Sequence, residues 1–196
     1  MNRHSSHHRY GDGPRLAIAV AALLVTIVMS WSLAAAAASS PPLRVVPQLD
    51  LQRYTGTWYE VARLPNRFEQ KCARGVTATY ALRDDGRLAV TNRCLDTEGG
   101  VREAAGIARR VADQPPSVLE VRFAPAFLSW IPAVWGDYRV IELAAGYEHA
   151  VVGTEDRKYL WVLSRTPEMG PDVLEALLER AKAQGFAVDD VIRVLP

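Results

Sequence analysis

Few residues in this chain are of a type that could do covalent chemistry. There are two cysteines, Cys72 and Cys94. Glu60 is a carboxylate set among apolar and aromatic residues, and His149 is the sole histidine beyond the first eight residues. A cysteine could act as a nucleophile if a neighbouring base made it a thiolate. Glu60 could act as an acid, and a buried carboxylate would need a partner. No Ser-His-Asp pattern, glycine-rich phosphate loop or run of metal ligands accompanies them. No catalytic residue, cofactor or metal is therefore assigned, and His149 alone makes no metal site. His4, His7 and His8 fall in the leader and read as a polar flank.

The leader is the clearest segment. Arg3, Arg9 and Arg15 form a positive region, Leu16 to Leu33 is a nearly unbroken apolar run, and Ala34 to Ala38 is a small-residue tract before Ser39. This is the pattern of a secretory signal peptide over residues 1–38, and its apolar run is long enough to serve as an uncleaved membrane anchor instead. Removing residues 1–38 leaves a single domain, 39–196, of 158 residues with 20 basic and 21 acidic side chains. No basic patch argues for nucleic acid. In an exported protein an even cysteine count suggests a disulfide. Cys72 and Cys94 flank a hairpin whose turn is Asp84-Asp85-Gly86, and hairpin ends lie close together. The other reading is a reactive thiol.

The elements that position these residues are mostly strands. Thr57 to Leu64, Gly75 to Leu82, Leu88 to Asn92, Val101 to Val111, Ser117 to Phe123, Asp137 to Leu143, His149 to Gly153 and Tyr159 to Ser164 are strand-like runs joined by turn signals. Eight short strands at even spacing predict an all-β fold, an eight-stranded up-and-down antiparallel barrel with room for one small ligand. Leu174, Leu177, Leu178 and Ala181 recur at helical spacing, and Gly185 ends the run. That predicts a C-terminal amphipathic α-helix packed on the outside of the barrel, followed by a short strand at Val191 to Val194.

One segment carries a family resemblance. Gly56-Thr57-Trp58-Tyr59-Glu60-Val61-Ala62-Arg63, followed by Asn66-Arg67-Phe68-Glu69, resembles the opening strand of the bacterial lipocalins. Thr79 to Gly86 resembles their second hairpin, and Tyr159-Leu160-Trp161-Val162-Leu163-Ser164-Arg165-Thr166-Pro167 their last barrel strand. The resemblance covers nearly all of the chain after the leader. It implies that Gly56, Trp58, Tyr147 and Arg165 are the structural signature, with Arg165 lying over Trp58. The middle motif is imperfect, reading Ala145-Gly146-Tyr147. In apolipoprotein D-like members, the positions matching Tyr54, Tyr80, Asn92 and Trp161 face the ligand, so these four are the expected binding residues. Relatives held in the bacterial outer membrane carry a lipobox cysteine where this chain has Ala38-Ser39-Ser40. A periplasmic or envelope protein without that lipid anchor is implied.

Strand counting places Phe123 to Trp135 at the open end, and the stretch is too apolar for an ordinary loop. Phe127, Leu128, Trp130, Ile131 and Trp135 could dock on a membrane, or could fold as a lid over a ligand. The expected function is non-enzymatic: binding and transport or storage of a fatty acid or lysophospholipid for membrane maintenance. The alternatives are a lipocalin-fold enzyme, isomerase-like, acting through a cysteine or Glu60 on a hydrophobic substrate, and a pigment or haem carrier.

Overall fold

The structure, a computed structural model, describes residues 41–196; the leader lies outside them. Its strands are β1 (Gly56–Arg63), β2 (Arg74–Leu82), β3 (Leu88–Leu95), β4 (Val101–Arg110), β5 (Val118–Arg122), β6 (Gly136–Leu143), β7 (His149–Gly153) and β8 (Leu160–Ser164). Each pairs antiparallel with the next, and β8 pairs back onto β1, which closes the barrel. A short helix, α1 (Leu51–Tyr54), precedes β1. It was not expected from the sequence, and it forms because the Asp50 carboxylate accepts from the Gln52 and Arg53 amides at 2.8 and 3.3 Å. Gly56 then turns the chain into β1 at φ +93°, and a Cβ there would lie 3.2 Å from the Arg165 guanidinium.

The eight-strand expectation holds, with one detail that alternation alone does not reveal. Glu60 pairs opposite Leu163 and Ala62 opposite Val162, so Val61 is an extra residue on β1. This bulge sends Val61 and Ala62 outward together. Glu60 and Arg63, three residues apart, both point inward. A strand of strict period two would place them on opposite faces.

The outward pair meets α2 (Pro171–Lys182). Leu174, Leu177, Leu178 and Ala181 of α2 pack against Val61, Ala62, Ile141, Val151, Leu160 and Val162, and Phe186 joins the same cluster. Pro171 sits in the first turn, and Arg180 and Lys182 in the last, where they suit the helix dipole. Each fully buried leucine in such a layer stabilises by roughly 2 kcal/mol.

The barrel has a seam. β1 pairs with β2 only from Gly56 to Tyr59. Above that, β9 (Ile192–Arg193) pairs with Ala62 and Arg63, and the Leu195 carbonyl accepts from the Gly75 amide at 2.9 Å. The C-terminal segment thus fills the gap where β2 diverges from β1.

Candidate functional site

The lower end of the barrel is sealed by side chains. Trp58 is fully buried and donates its Nε1–H to the Tyr54 carbonyl at 2.9 Å. The Arg165 guanidinium lies 3.8 Å from the Trp58 ring centre and donates to the carbonyls of Thr57, Arg53 and Tyr147 at 3.0, 2.8 and 3.3 Å. A planar fork over an indole is suited to this, because one side chain supplies a cation–π contact and several directed hydrogen bonds. Tyr147 adopts φ +66° and its hydroxyl accepts from the Asp50 amide at 2.9 Å. The imperfect Ala145-Gly146-Tyr147 motif therefore still closes this end.

Above the tryptophan stand three tyrosines. The Tyr138 hydroxyl is 2.7 Å from that of Tyr54 and 2.9 Å from that of Tyr80. Burial raises the pKa of all three hydroxyls, that of Tyr80 to about 12, so they remain neutral and linked. Tyr138 was missed by the sequence reading. Its signal was its alternation with Val140 on the inner face of β6. Tyr54, expected to face the ligand, has no exposed surface and belongs to the sealed floor. With Leu88, Val90, Leu119, Val140 and Val152, these rings fill the lower half of the barrel.

The upper half is different. Asn92 pairs opposite Ala104, and Val90 opposite Gly106, so Asn92, Ala104 and Gly106 share the inner face. Ala78 and Val121 lie on that face too, as does Trp161, which pairs opposite Arg63. All keep exposed or half-exposed surface. Small side chains at Ala78 and Ala104 leave the space; Trp161, Asn92 and the Phe123 ring, which covers Gly106, border it. Of the four expected binding residues, Asn92 and Trp161 line this chamber, Tyr80 forms its base, and Tyr54 lies beneath. The Asn92 Oδ1 is buried without a hydrogen-bond partner.

A charged network rims the chamber. The Arg63 guanidinium reaches Glu60 at 2.8 Å and Glu69 at 3.3 Å. Glu69 also accepts from Asn66 Nδ2 at 2.6 Å and Trp161 Nε1 at 3.4 Å. Burial, followed by the nearby Glu69 charge, pushes Glu60 up to about 8, even though Arg63 opposes the shift. Tyr159 stacks on Trp161 with ring centres 5.9 Å apart, and Phe68 lies 5.4 Å from Tyr159. Cys72 and Cys94 form a disulfide with Cα atoms 5.5 Å apart, tying the mouth loop that carries Asn66, Phe68 and Glu69 to β3. The reactive-thiol reading does not hold in this state, since no cysteine is free.

The apolar segment 123–135 is braced on the outside wall. Trp135 lies between Arg109, 3.8 Å from its ring centre, and Arg122 at 5.2 Å, and donates to the Ser129 carbonyl at 2.9 Å. Arg122 donates to the carbonyls of Ala124 and Pro125. Trp135 is thus a strut, and Leu128 and Ile131 are half-buried. Phe127 and Trp130 stand free at 74% and 79% exposure. The first residue of the segment turns inward, because a Cβ on the inward-facing Gly106 would lie 2.7 Å from the Phe123 ring.

Among the described residues, no group of His, Cys, Asp or Glu side chains could hold a metal ion, and no helix is long and apolar enough to cross a membrane.

Comparison with known proteins agrees with this geometry. Residues 49–196 match the family model described as a lipocalin-like domain. The chain is 39% identical over 184 residues to the outer membrane lipoprotein Blc of Escherichia coli K12, covering 92% of this chain and 95% of that protein. It is 25% identical over 154 residues to mouse apolipoprotein D, covering 76% and 77%. Among solved structures, insecticyanin from the tobacco hornworm Manduca sexta superposes with a TM-score of 0.60 at 17% identity, covering 79% of this chain and 84% of that one.

Proposed function

The chain belongs to the lipocalin family, and from that premise we propose that it carries a single-chain lipid, a fatty acid or lysophospholipid, in the upper half of its barrel. The observation that supports this best is the division of the interior. Below, linked tyrosines and Trp58 fill the space; above, Ala78, Asn92, Ala104, Val121 and Trp161 keep accessible inward surface. Such a chamber is apolar with few polar anchors, which suits a hydrocarbon tail with one polar head. A sixteen-carbon tail buries CH₂ groups at ~0.8 kcal/mol each, enough for micromolar affinity after association costs. Titrating the delipidated protein with palmitate and with lysophosphatidylcholine should give saturable binding in that range for at least one. No saturation with either would contradict the carrier reading. An isomerase-like reading would have to rest on Glu60, because both cysteines are oxidised.

The relatives named outer membrane lipoproteins support a role in the cell envelope. Phe127 and Trp130 are the residues by which the barrel would touch a bilayer, giving the lipid a path into the mouth. Leu43 and Arg44, where the described chain enters the fold, lie at the same end, bonded through their amides to Glu155 and Gln184. Replacing both Phe127 and Trp130 with serine should abolish co-sedimentation with phospholipid vesicles. Unchanged sedimentation would assign the two side chains no membrane role.

A further inference from the structure

The polar groups around the chamber are out of balance. Glu60 and Glu69 share one guanidinium, that of Arg63. The side chains of Glu60 and Arg63 are almost wholly buried, and that of Glu69 is 15% exposed, so water screens the three weakly. Three further features face the same way chemically. The Asn92 Oδ1 is a buried acceptor without a donor. The inward indole of Trp161, stacked on Tyr159 and followed by Phe68, offers ring faces that attract cations. The base of the chamber is Tyr80, whose hydroxyl is engaged with Tyr138. Arg67 on the mouth loop is exposed and lies over Phe68 at 5.1 Å, and Lys71 on that loop and Arg102, which pairs opposite Cys94 on the inner face of β4, are exposed as well, so solvent screens all three. Among the buried groups at the rim, ionisable carboxylates, acceptors and aromatic faces outnumber the single cation, Arg63.

We propose that this chamber selects its ligand by head-group charge: Glu60, Glu69 and the Trp161 ladder admit an ammonium-bearing head and disfavour a bare carboxylate. The proposal rests on the carrier reading and names the head-group class within it. An ammonium near Glu60 and Glu69 would give each carboxylate its own cation. Once Glu60 is ionised, a carboxylate head is a third anion around one arginine, and at short range in a partly desolvated site that repulsion amounts to at least a tenfold loss of affinity.

The proposal carries a pH signature. Glu60 faces Arg63 on its own strand, Glu69 on the mouth loop and Tyr80 on β2, and opposes the uncharged Leu163 on β8. With its pKa at about 8, Glu60 holds a proton at neutral pH. Binding a cation expels that proton, so affinity for the cation rises as pH climbs from 7 to 9. Affinity for a carboxylate falls over the same interval, because Glu60 becomes charged.

The test uses hexadecyltrimethylammonium, palmitate and lysophosphatidylcholine, each titrated into the delipidated protein below its micelle-forming concentration. The expected result is that hexadecyltrimethylammonium binds about tenfold or more tightly than palmitate at pH 8. Lysophosphatidylcholine, which carries both charges, should fall between them. The ratio of the first two should widen with pH and shrink toward one in Glu69→Gln and in Glu60→Gln. The pH series on the unaltered protein stands even where a variant folds poorly. Palmitate binding as tightly as the cation, with no pH trend, would overturn the charge selection while leaving the carrier intact. Failure of all three to bind would overturn the carrier reading and this proposal with it.

Discussion

Replacing Trp58 with alanine is expected to cost about 3–5 kcal/mol of stability, the range for deleting a large buried aromatic side chain. The residue has no exposed surface, packs against Tyr54 with ring centres 4.9 Å apart, and lies beneath the Arg165 guanidinium at 3.8 Å. Its loss leaves a cavity at the point where α1, β1 and the segment after β8 converge, and strips Arg165 of its aromatic platform. For a domain of this size the melting temperature should fall by roughly 10–15 °C. Arg165→Lys should cost less, about 1–2 kcal/mol, because a lysine keeps the charge but cannot reach the Thr57, Arg53 and Tyr147 carbonyls together. Thermal melts of both variants check the order. A Trp58→Ala variant within 1 kcal/mol of the parent would mean that the floor is not held as described.

Replacing Ala104 with tryptophan is expected to weaken lipid binding about 100-fold or more and to leave folding nearly unchanged. Ala104 faces inward opposite Asn92, on the accessible half of the barrel, where an indole occupies the space a hydrocarbon tail would take. Loss of several buried CH₂ contacts at ~0.8 kcal/mol each accounts for that factor. Because the position is open to solvent, the larger ring creates no overpacked contact in the sealed half. A melt within a few degrees of the parent, together with lost binding, separates occupancy of the chamber from damage to the fold. Undiminished binding would place the ligand elsewhere.

The strands, the turn at Asp84-Asp85-Gly86, the amphipathic helix and the disulfide were legible in the sequence because each rests on local spacing. Trp58 and Arg165 were legible through the family motif, and their contact is as expected. Three features were not. The bulge at Val61 depends on pairing with β8, a strand about 100 residues away, and it alone turns Arg63 inward to Glu60. Glu60 shares a strand face with Trp58, but strict alternation gives no reason to choose Arg63 as its partner. The filled lower half depends on how three tyrosines from α1, β2 and β6 converge, which no single segment shows. The role of Trp135 depends on Arg109 and Arg122 from neighbouring strands, so a stretch that read as five equivalent apolar anchors divides into a brace and two free tips. In each case the missing information was a contact between elements far apart in the sequence.

The central claim is that the upper barrel holds a lipid. Native mass spectrometry of the protein, purified without delipidation beside the Ala104→Trp variant, tests it most directly. The account predicts a mass adduct on the parent that releases a fatty acid or lysophospholipid, and a bare variant. A bare parent that also gains no mass when palmitate or lysophosphatidylcholine is added would contradict it.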